Sequence, residues 1–514
     1  MTVQRAKRAL ISVSDKNGVI EFAKELAHLD FEIISTGGTY KTLKESGIDV
    51  TYISEVTGFP EILDGRVKTL HPMIHGGILG RRDNLGHKNE MTQEGIRSID
   101  LVAVNLYPFQ KVAANENSSW DELIENIDIG GPAMIRSAAK NHNDVVVAVD
   151  PADYPLIISQ LKGSAEVSLQ MRIKLAIKAY THTAEYDSFI QETLRKRSSQ
   201  EEQISFVPCI EKSVLRYGEN PGQTAILYRK MTSQESLVDA DQLHGKELSY
   251  NNWLDTDSAF RLIQEFEVPA AVIIKHTNPC GVAIGLTVYE AFQKAYEADS
   301  VSAFGGILAV NRIVDKDLAT EINKTFWEVV VAPEFSEEAL QILKEKKNLR
   351  LLKVSEEAWK MQAEKEWKSI QGGWLVQDRD LQEAPSSTWK VVSKSSPEPS
   401  ILSDYEFAWK VVKHVKSNAI VIAKNGISIG VGAGQMNRVG SAKIALEQAG
   451  DRAQGAILAS DAFFPFGDTV ELASTYGIVG IIQPGGSIRD QESTDAADLH
   501  DMVMIHTDVR HFRH

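Results

Sequence analysis

The sequence predicts an α/β fold on three observations. Short, uniformly apolar runs recur along the chain, among them Leu101 to Val104, Val145 to Val149, Ala271 to Ile274 and Ile420 to Ala423. Stretches with helical spacing separate them, and turns bearing Gly, Ser or Pro sit at the junctions. For Leu101 to Val104 and Val145 to Val149, uniform apolarity in place of alternation fits strands of a parallel sheet covered by helices on both faces.

Taken in order, Ala9 to Val13 is the first strand, with Asp15 and Asn17 as candidate caps of a helix carried by Ile20, Phe22, Ala23 and Leu26. Phe31 to Ser35 repeats the pattern, and Thr36-Gly-Gly-Thr39 opens a helix through Tyr40 and Leu43 that stops at Gly47. Leu169, Ile173, Ala176, Tyr180, Ala184, Phe189, Ile190 and Leu194 form a helical stripe. It ends in Arg195-Lys-Arg-Ser-Ser-Gln-Glu-Glu, the expected linker, so the expected domains are 1–199 and 200–514. Further strand runs at 306–310 and 477–482 make the second half α/β as well. Residues 335–403 are charge-rich with scattered Trp and a Ser-Ser-Pro-Glu-Pro break, and read as an insertion or a junction. No short internal repeat is visible.

A chain of 514 residues accommodates two to four domains, each able to bury its own core. With 43% hydrophobic and 24% charged residues, it is neither a disordered tail nor a collagen. Lys and Arg number 55 against 70 Asp and Glu, and the resulting charge of −15 repels nucleic acid and anionic membranes. An anionic ligand therefore needs a local basic pocket. Cys209 and Cys280 are too few for a disulfide framework and suit a reducing compartment, so the expected location is cytoplasmic. Neither an export signal nor a membrane-length apolar run is present in the sequence. The Asn117-Ser-Ser sequon means little without export.

Several turns could carry chemistry. Ser35-Thr-Gly-Gly-Thr39 brings bare backbone and two hydroxyls to a helix N-terminus, a phosphate-site pattern whose bland alternative is a plain tight turn. Ser12-Val-Ser-Asp-Lys16 would offer Lys16 to the same anion from a neighbouring strand end. Arg66-Val-Lys-Thr-Leu-His-Pro72 is a basic loop, or merely a solvated charge run. His71 and His75 have metal-ligand spacing, but the glutamate of a zinc helix is missing and Pro72 disfavours the helix. In 127–140 a turn feeds a helix with Asp128 at its entrance, and Arg136 and Lys140 share one face.

In the second half, Lys275 and His276 stand on a turn after an apolar strand, where an imidazole can accept a proton and an ammonium can stabilise an oxyanion. Capping of the strand is the alternative. Pro279-Cys280 lacks the second cysteine of a zinc deaminase, position 283 being Ala. Gly430-Val-Gly-Ala-Gly-Gln435 is a partial dinucleotide loop. Asp461-Ala-Phe-Phe-Pro-Phe-Gly-Asp468 could clamp a flat ring or be core, and Pro484-Gly-Gly-Ser-Ile488 is a further turn able to approach a ligand.

Eight of these and neighbouring stretches, adding Asn105-Leu-Tyr-Pro-Phe109 and Arg216-Tyr-Gly-Glu-Asn-Pro221, occur in the order of one family. From end to end the chain resembles the bifunctional purine biosynthesis enzymes that combine 5-aminoimidazole-4-carboxamide ribonucleotide (AICAR) formyltransferase with inosine monophosphate (IMP) cyclohydrolase. The resemblance implies an N-terminal methylglyoxal-synthase-like parallel-sheet domain and a C-terminal pair of cytidine-deaminase-like α/β subdomains without zinc. It implies formyl transfer from 10-formyltetrahydrofolate, a consumed co-substrate and no tightly bound cofactor, to AICAR. Dehydrative closure of the formylated product, FAICAR, to IMP follows. For transfer it assigns His276 to proton removal and Lys275 to the formyl oxygen. Arg216, Tyr217, Asn418 and Arg510 are implied as nucleotide contacts, and Gly305, Arg438, Phe463, Asp468, Ser487 and Ile488 as the substrate and folate region. Glu328 stands where other members can have Asp. For ring closure it implies Lys68, Tyr107 and Asp128, with Lys140 as proton carrier. Ser14, Asp15, Lys16, Ser35, Thr36, Gly37, Gly38, Thr39, Arg66, Thr69, Asn105 and Ile129 would line that pocket. A homodimer is implied. The competing expectations are a nucleotide-binding regulator of the same fold with one activity left, and a zinc deaminase.

Overall fold

The chain divides between Pro208 and Cys209 into two units, each built on its own sheet system. The computed structural model describes residues 7–115, 117–198, 209–230, 235–360 and 365–514. The expected linker is helical as far as Ser198, and its remainder lies outside the described residues.

In the N-terminal unit the apolar runs become β1 (Lys7–Val13), β2 (Phe31–Ser35), β3 (Val50–Tyr52), β4 (Leu101–Asn105) and β5 (Val146–Ala148). They pair in the order β3-β2-β1-β4-β5, all parallel, with Ala9 opposite both Ile33 and Leu101. Ala9, Leu10 and Ile11 are fully buried, and the helix Val19–His28 adds Val19, Phe22, Ala23 and Leu26 from one face. Each large side chain so buried contributes about 1.5–3 kcal/mol. Asp15 and Asn17 do not cap that helix. Gly18, left-handed at φ 66°, makes the entry turn, and the Asp15 carboxylate accepts from the Asn17 N–H instead. Because β1 leads to β2 on one side and β4 lies on the other, the chain order reverses beside β1, and the loops there diverge into a crevice.

The long helix Leu169–Ser198 buries Met171, Leu175, Ala176, Ala179, Thr183 and Tyr186 against neighbours that include the helix Gly130–Lys140. The expected stripe holds in part: Ala176 is buried and Phe189 and Ile190 pack against the core, whereas Leu169, Ile173 and Tyr180 are 48%, 40% and 40% exposed. The helix has two apolar faces, and the one bearing small residues admits the closer neighbour.

The strands of the C-terminal unit are β6 (Cys209–Leu215), β7 (Ala225–Lys230), β8 (Asp241–His244), β9 (Ala270–Lys275), β10 (Asn278–Ile284), β11 (Gly306–Val310), β12 (Trp327–Ala332), β13 (Arg350–Lys353), β14 (Lys365–Ile370), β15 (Gly373–Asp378), β16 (Lys390–Val391), β17 (Ile420–Lys424), β18 (Ile427–Gly432), β19 (Ile457–Ser460), β20 (Gly480–Gln483) and β21 (Val503–His506). Twelve of them form one sheet in the order β16-β21-β20-β19-β17-β18-β10-β9-β11-β12-β13-β8, while β6-β7 and β14-β15 are separate hairpins. Counted outward from β10 and from β18, the two halves repeat one another: antiparallel, antiparallel, parallel, parallel, antiparallel. The repeat is long, which is why a search for short ones passes over it. One face carries a core common to both halves, formed with the helices Tyr250–Ile263 and Leu402–Val412. On the other face each half keeps a core of its own. The segment 335–403 completes the first half with β13 and opens the second with β16, so it is a junction carrying the β14-β15 hairpin.

Gly430 is part of β18 and not of a dinucleotide loop. A Cβ there would stand 2.0 Å from the Ala445 carbonyl oxygen, and its counterpart Gly281 meets Ala295 at the same 2.0 Å. Gly281→Ala and Gly430→Ala should each cost about 1–3 kcal/mol through overpacking, read as a lowered midpoint of thermal unfolding.

A buried ion cluster closes the base of this unit. Glu265 accepts from His414 Nε2 at 2.8 Å and faces Lys413 at 3.1 Å. Burial opposes the Glu265 charge, but these partners win and hold its pKa below the usual range, while burial pushes His414 down and keeps it neutral. Both groups bind protons more readily unfolded, so their stability contribution is present at neutral pH and is lost on acidification, first below the ordinary histidine value and then below the carboxylate value. The thermal midpoint should fall between pH 7 and pH 4, and Glu265→Gln should flatten the lower part of that slope.

Candidate active sites

At the crevice of the N-terminal unit the loops after β1, β2 and β4 meet. Asn105 Oδ1 accepts from the backbone N–H groups of Ser14 (2.6 Å) and Asp15 (2.9 Å), and its Nδ2 donates to the Asp15 carbonyl at 3.1 Å. Thr39 Oγ1 is spent on Val13, accepting from its N–H and donating to its C=O, and Ser35 Oγ donates to the Ile11 carbonyl. The Ser12 and Thr36 hydroxyls face one another at 3.2 Å. The hydroxyls expected to face an anion thus brace the strands, and the glycines take that role. Gly37 sits at φ 47°, a conformation few side chains adopt, at the first position of the helix Gly37–Glu45. Lys68 Nζ is 3.8 Å from the point where a Gly37 Cβ would stand, and Lys16 Nζ is 3.8 Å from the corresponding point on Gly38. Two ammonium groups over a glycine turn at a helix N-terminus form an anion seat in an otherwise acidic chain.

Asp128 borders the same seat. Its Oδ1 accepts from Gly131 N–H at 2.8 Å at the entrance of the helix Gly130–Lys140. Burial raises its pKa against opposing contributions from the Gly131 N–H, the Lys68 charge and the Tyr107 backbone, which face it from neighbouring loops. A Cβ on Gly131 would meet Asp128 Oδ2 at 2.4 Å and one on Gly130 would meet Thr69 Oγ1 at 2.5 Å, so this approach requires glycine at both positions. Ile129 is 60% exposed beside them. Arg66 instead pairs with Glu125, and Lys140 stands apart at the last turn of its helix, roughly 15 Å along the axis from the first at 1.5 Å per residue. Pro72 starts a helix, Pro72–Leu79, with His71 as its cap through Nδ1, while His75 Nδ1 faces Ser137 Oγ at 3.0 Å; the proline that argued against a helix is its first residue.

Sequence reasoning missed Tyr186. Buried on the long helix, its hydroxyl accepts from the Asp128 N–H at 2.8 Å and donates to the Asn126 carbonyl at 3.2 Å, and burial pushes its pKa up to about 12. Only its place on a helical stripe could have signalled it, and the expected stripe did not include it.

In the C-terminal unit Lys275 ends β9, and His276 at φ 51° and Thr277 at φ 64° form the two-residue turn to β10. Lys275 Nζ donates to the carbonyls of Phe304 (2.9 Å) and Gly305 (3.1 Å), which leaves one of its three N–H groups to aim elsewhere. Asn278 Oδ1 accepts from Lys416 N–H at 3.0 Å, which ties the turn to the segment carrying Asn418. Asn418 Nδ2 donates to the Gln435 carbonyl, and its Oδ1 accepts from Arg438 Nη2 at 2.7 Å. Arg438 is buried and paired with the fully buried Asp461, so it orders Asn418 from below.

The aromatic stretch divides. Phe464 is core, whereas Phe463, Phe466 and Asp468 are exposed. Ser487 Oγ accepts from Arg489 N–H, and Ile488 is fully exposed. Arg510 lies 4.4 Å over Phe512, and Arg216 lies 4.7 Å over Tyr217. Glu328 is committed to Arg350 at 2.6 Å. Burial pushes the Cys280 thiol up to about 12, the character of a structural thiol. Among the described residues no three His, Cys, Asp or Glu side chains gather as metal donors.

These features define a two-unit α/β protein with a lysine-flanked glycine turn on one unit and a Lys-His hairpin turn on the other. Residues 18–133 match the MGS-like domain, and residues 138–448 match the AICARFT/IMPCHase bienzyme. The bifunctional purine biosynthesis protein PurH of Desulfitobacterium hafniense is 54% identical over 99% of this chain and 100% of its own. The protein of the same name from Bacillus subtilis is 54% identical over 99% of each chain, and that from Anoxybacillus flavithermus is 55% identical over 99% and 100%. The chain belongs to the AICARFT/IMPCHase bienzyme family and is a bifunctional enzyme of purine biosynthesis.

Tyr186→Phe leaves the buried Asp128 N–H without its acceptor and should cost about 1–3 kcal/mol, read in the thermal unfolding of the N-terminal unit.

Proposed function

We propose that the C-terminal unit transfers the formyl group and the N-terminal unit closes the ring. The observation that carries this division is the separation of two proton-handling sets, Lys275-His276 on one unit and Lys68, Tyr107 and Asp128 on the other. In transfer, the 5-amino nitrogen of AICAR attacks the formyl carbon of 10-formyltetrahydrofolate. His276 takes the amine proton, the remaining Lys275 N–H group stabilises the oxyanion, and collapse expels tetrahydrofolate, whose nitrogen is reprotonated. Alignment of two stable reactants supplies much of the acceleration. Asn418, with Arg438 beneath it, and Arg216, Tyr217 and Arg510 hold the nucleotide, while Phe463, Asp468, Ser487 and Ile488 face the folate.

In ring closure the carboxamide nitrogen adds to the new formyl carbon, and the carbinolamine loses water to give IMP. The Gly37-Gly38 turn with Lys16 and Lys68 receives the phosphate, Tyr107 and Lys68 stabilise the developing oxyanion, and Asp128 exchanges the proton. The raised pKa of Asp128 supports that role, because a carboxyl poised toward neutrality can both take and return a proton. Lys140 enters only through the family resemblance, since its helix carries it away from this cluster. The folate is a co-substrate and not a resident cofactor. The exposed apolar residues Leu169, Ile173, Ile177 and Tyr180 support a homodimer, and two free cysteines support a cytoplasmic site of action. Among the described residues, no helix is long and apolar enough to cross a membrane.

The test follows tetrahydrofolate release and IMP formation separately. His276→Ala should reduce formyl transfer by about 10²–10⁴-fold and leave closure of added FAICAR intact, and Lys68→Met should do the reverse. Loss of both activities together in either folded variant would refute the division.

A further inference from the structure

The two halves of the twelve-stranded sheet carry the same turn. In the first half Lys275, His276 and Thr277 lead from β9 to β10, and in the second Lys424, Asn425 and Gly426 lead from β17 to β18. Both turns are left-handed at two successive residues: 51° and 64° in the first, 55° and 68° in the second. Both lysines rest on a carbonyl beside a left-handed glycine, Lys275 on Phe304 next to Gly305 and Lys424 on Gln454 next to Gly455. The Gly305 N–H donates to Phe326 and the Gly455 N–H to Gly477, each at 2.8 Å. Both turns are also braced by an aspartate from the helix before the hairpin. Asp255 Oδ1 accepts from Thr277 N–H at 2.7 Å, and Asp404 accepts from Asn425 and Gly426 N–H at 2.8 and 2.7 Å. The pairs Asp255/Asp404, Lys275/Lys424 and Gly281/Gly430 share one sequence offset.

The turn residues themselves differ. Asn-Gly is the favoured pair for a two-residue hairpin because both residues enter the left-handed region cheaply. His-Thr is a poor pair, and a β-branched residue held at φ 64° costs on the order of 1–3 kcal/mol. The second turn forms from its own sequence; the first needs an external brace. Glycine would remove the cost at position 277, so the strained turn keeps an imidazole beside Lys275 only where something holds it.

We propose that Asp255 is a positioning residue for formyl transfer, which by bracing the Thr277 N–H holds the unfavourable His276-Thr277 turn in the conformation that presents His276, whereas its twin Asp404 braces a turn that needs no such help. This rests on the reading of Lys275-His276 as the transfer site. Asp255 makes no claim on substrate, so its loss acts through the turn. The burial that raises its pKa is consistent with a brace facing inward, with Lys275 and His276 as the titratable groups beside it.

The test compares transfer kinetics of Asp255→Ala, Asp255→Asn, Asp404→Ala and the double variant Asp255→Ala with Thr277→Gly, with His276→Ala as reference. Asp255→Ala should lower kcat by about 30–100-fold with KM for AICAR within about threefold, the scale expected of a small misplacement. Asp255→Asn keeps an acceptor oxygen and should stay within about fivefold of the parent, as should Asp404→Ala. Thr277→Gly should restore most of the activity of Asp255→Ala, because glycine adopts the turn unaided. Unchanged kcat in Asp255→Ala, or a loss that Thr277→Gly does not repair, would overturn the proposal. Transfer surviving in His276→Ala would instead overturn the underlying site assignment.

Discussion

Much of the C-terminal unit depends on one junction, the meeting of β10 and β18 at Ala283 and Ile427. Each strand would otherwise be the open edge of a six-stranded sheet, with unpaired N–H and C=O groups in a row. The two edges close on each other, and Ser428 seals the seam by accepting from the Val282 N–H at 2.9 Å and reaching its carbonyl at 3.3 Å. Continuity across the seam gives both halves a common core on one face. It also fixes the two hairpin turns in a single rigid frame, and Asn278 and Lys416 tie the Lys275-His276 turn to the Asn418 strand end. The proposed transfer site would therefore be a property of the joined sheet, assembled from rims that belong to different halves.

The N-terminal unit faces a different problem under the proposed function, that of binding an anion within a chain of net negative charge. It does so at the point where strand order reverses, with two lysines and a glycine turn at the end of a parallel sheet. The buried hydroxyls of Ser35 and Thr39 bind strand backbone, so the loops are held stiffly while the amide groups stay available. Tyr186 performs the same service for the Asp128 loop from a helix much later in the sequence. In both units, polar groups that appear suited to ligand contact are in part the framework of the site.

The sheet strands were legible because a buried parallel strand leaves a simple mark, an unbroken apolar run bounded by turn residues. Phe31 to Ser35 and Leu101 to Val104 coincide with strands nearly to the residue. The glycines at 37 and 38 were legible for the same reason, and the Lys275-His276 turn because it follows an equally apolar run, although β9 is antiparallel to both its neighbours. Less visible was anything decided between elements. The first turns of the long helix were misread because they are apolar on two faces and only packing chooses between them. Gly430 looked like a ligand loop because a glycine demanded by a neighbouring helix and one demanded by a phosphate are the same residue. The duplication was implied only by the family resemblance and not by the residues themselves, because the halves agree in backbone path and in a few residues such as Asp255 and Asp404, while the side chains between them have diverged.

The sequence order of the strands carries a consequence for how the protein is made. The first half of the large sheet runs from Asp241 to Lys353 and the second from Lys390 to His506, without interleaving. Each half can therefore collapse on its own as it leaves the ribosome, and no strand of the first must wait for one of the second. What must wait is the seam. Until β18 has been synthesised, the nascent chain presents β10 as an unpartnered edge, and that interval is when a second nascent copy could take its place.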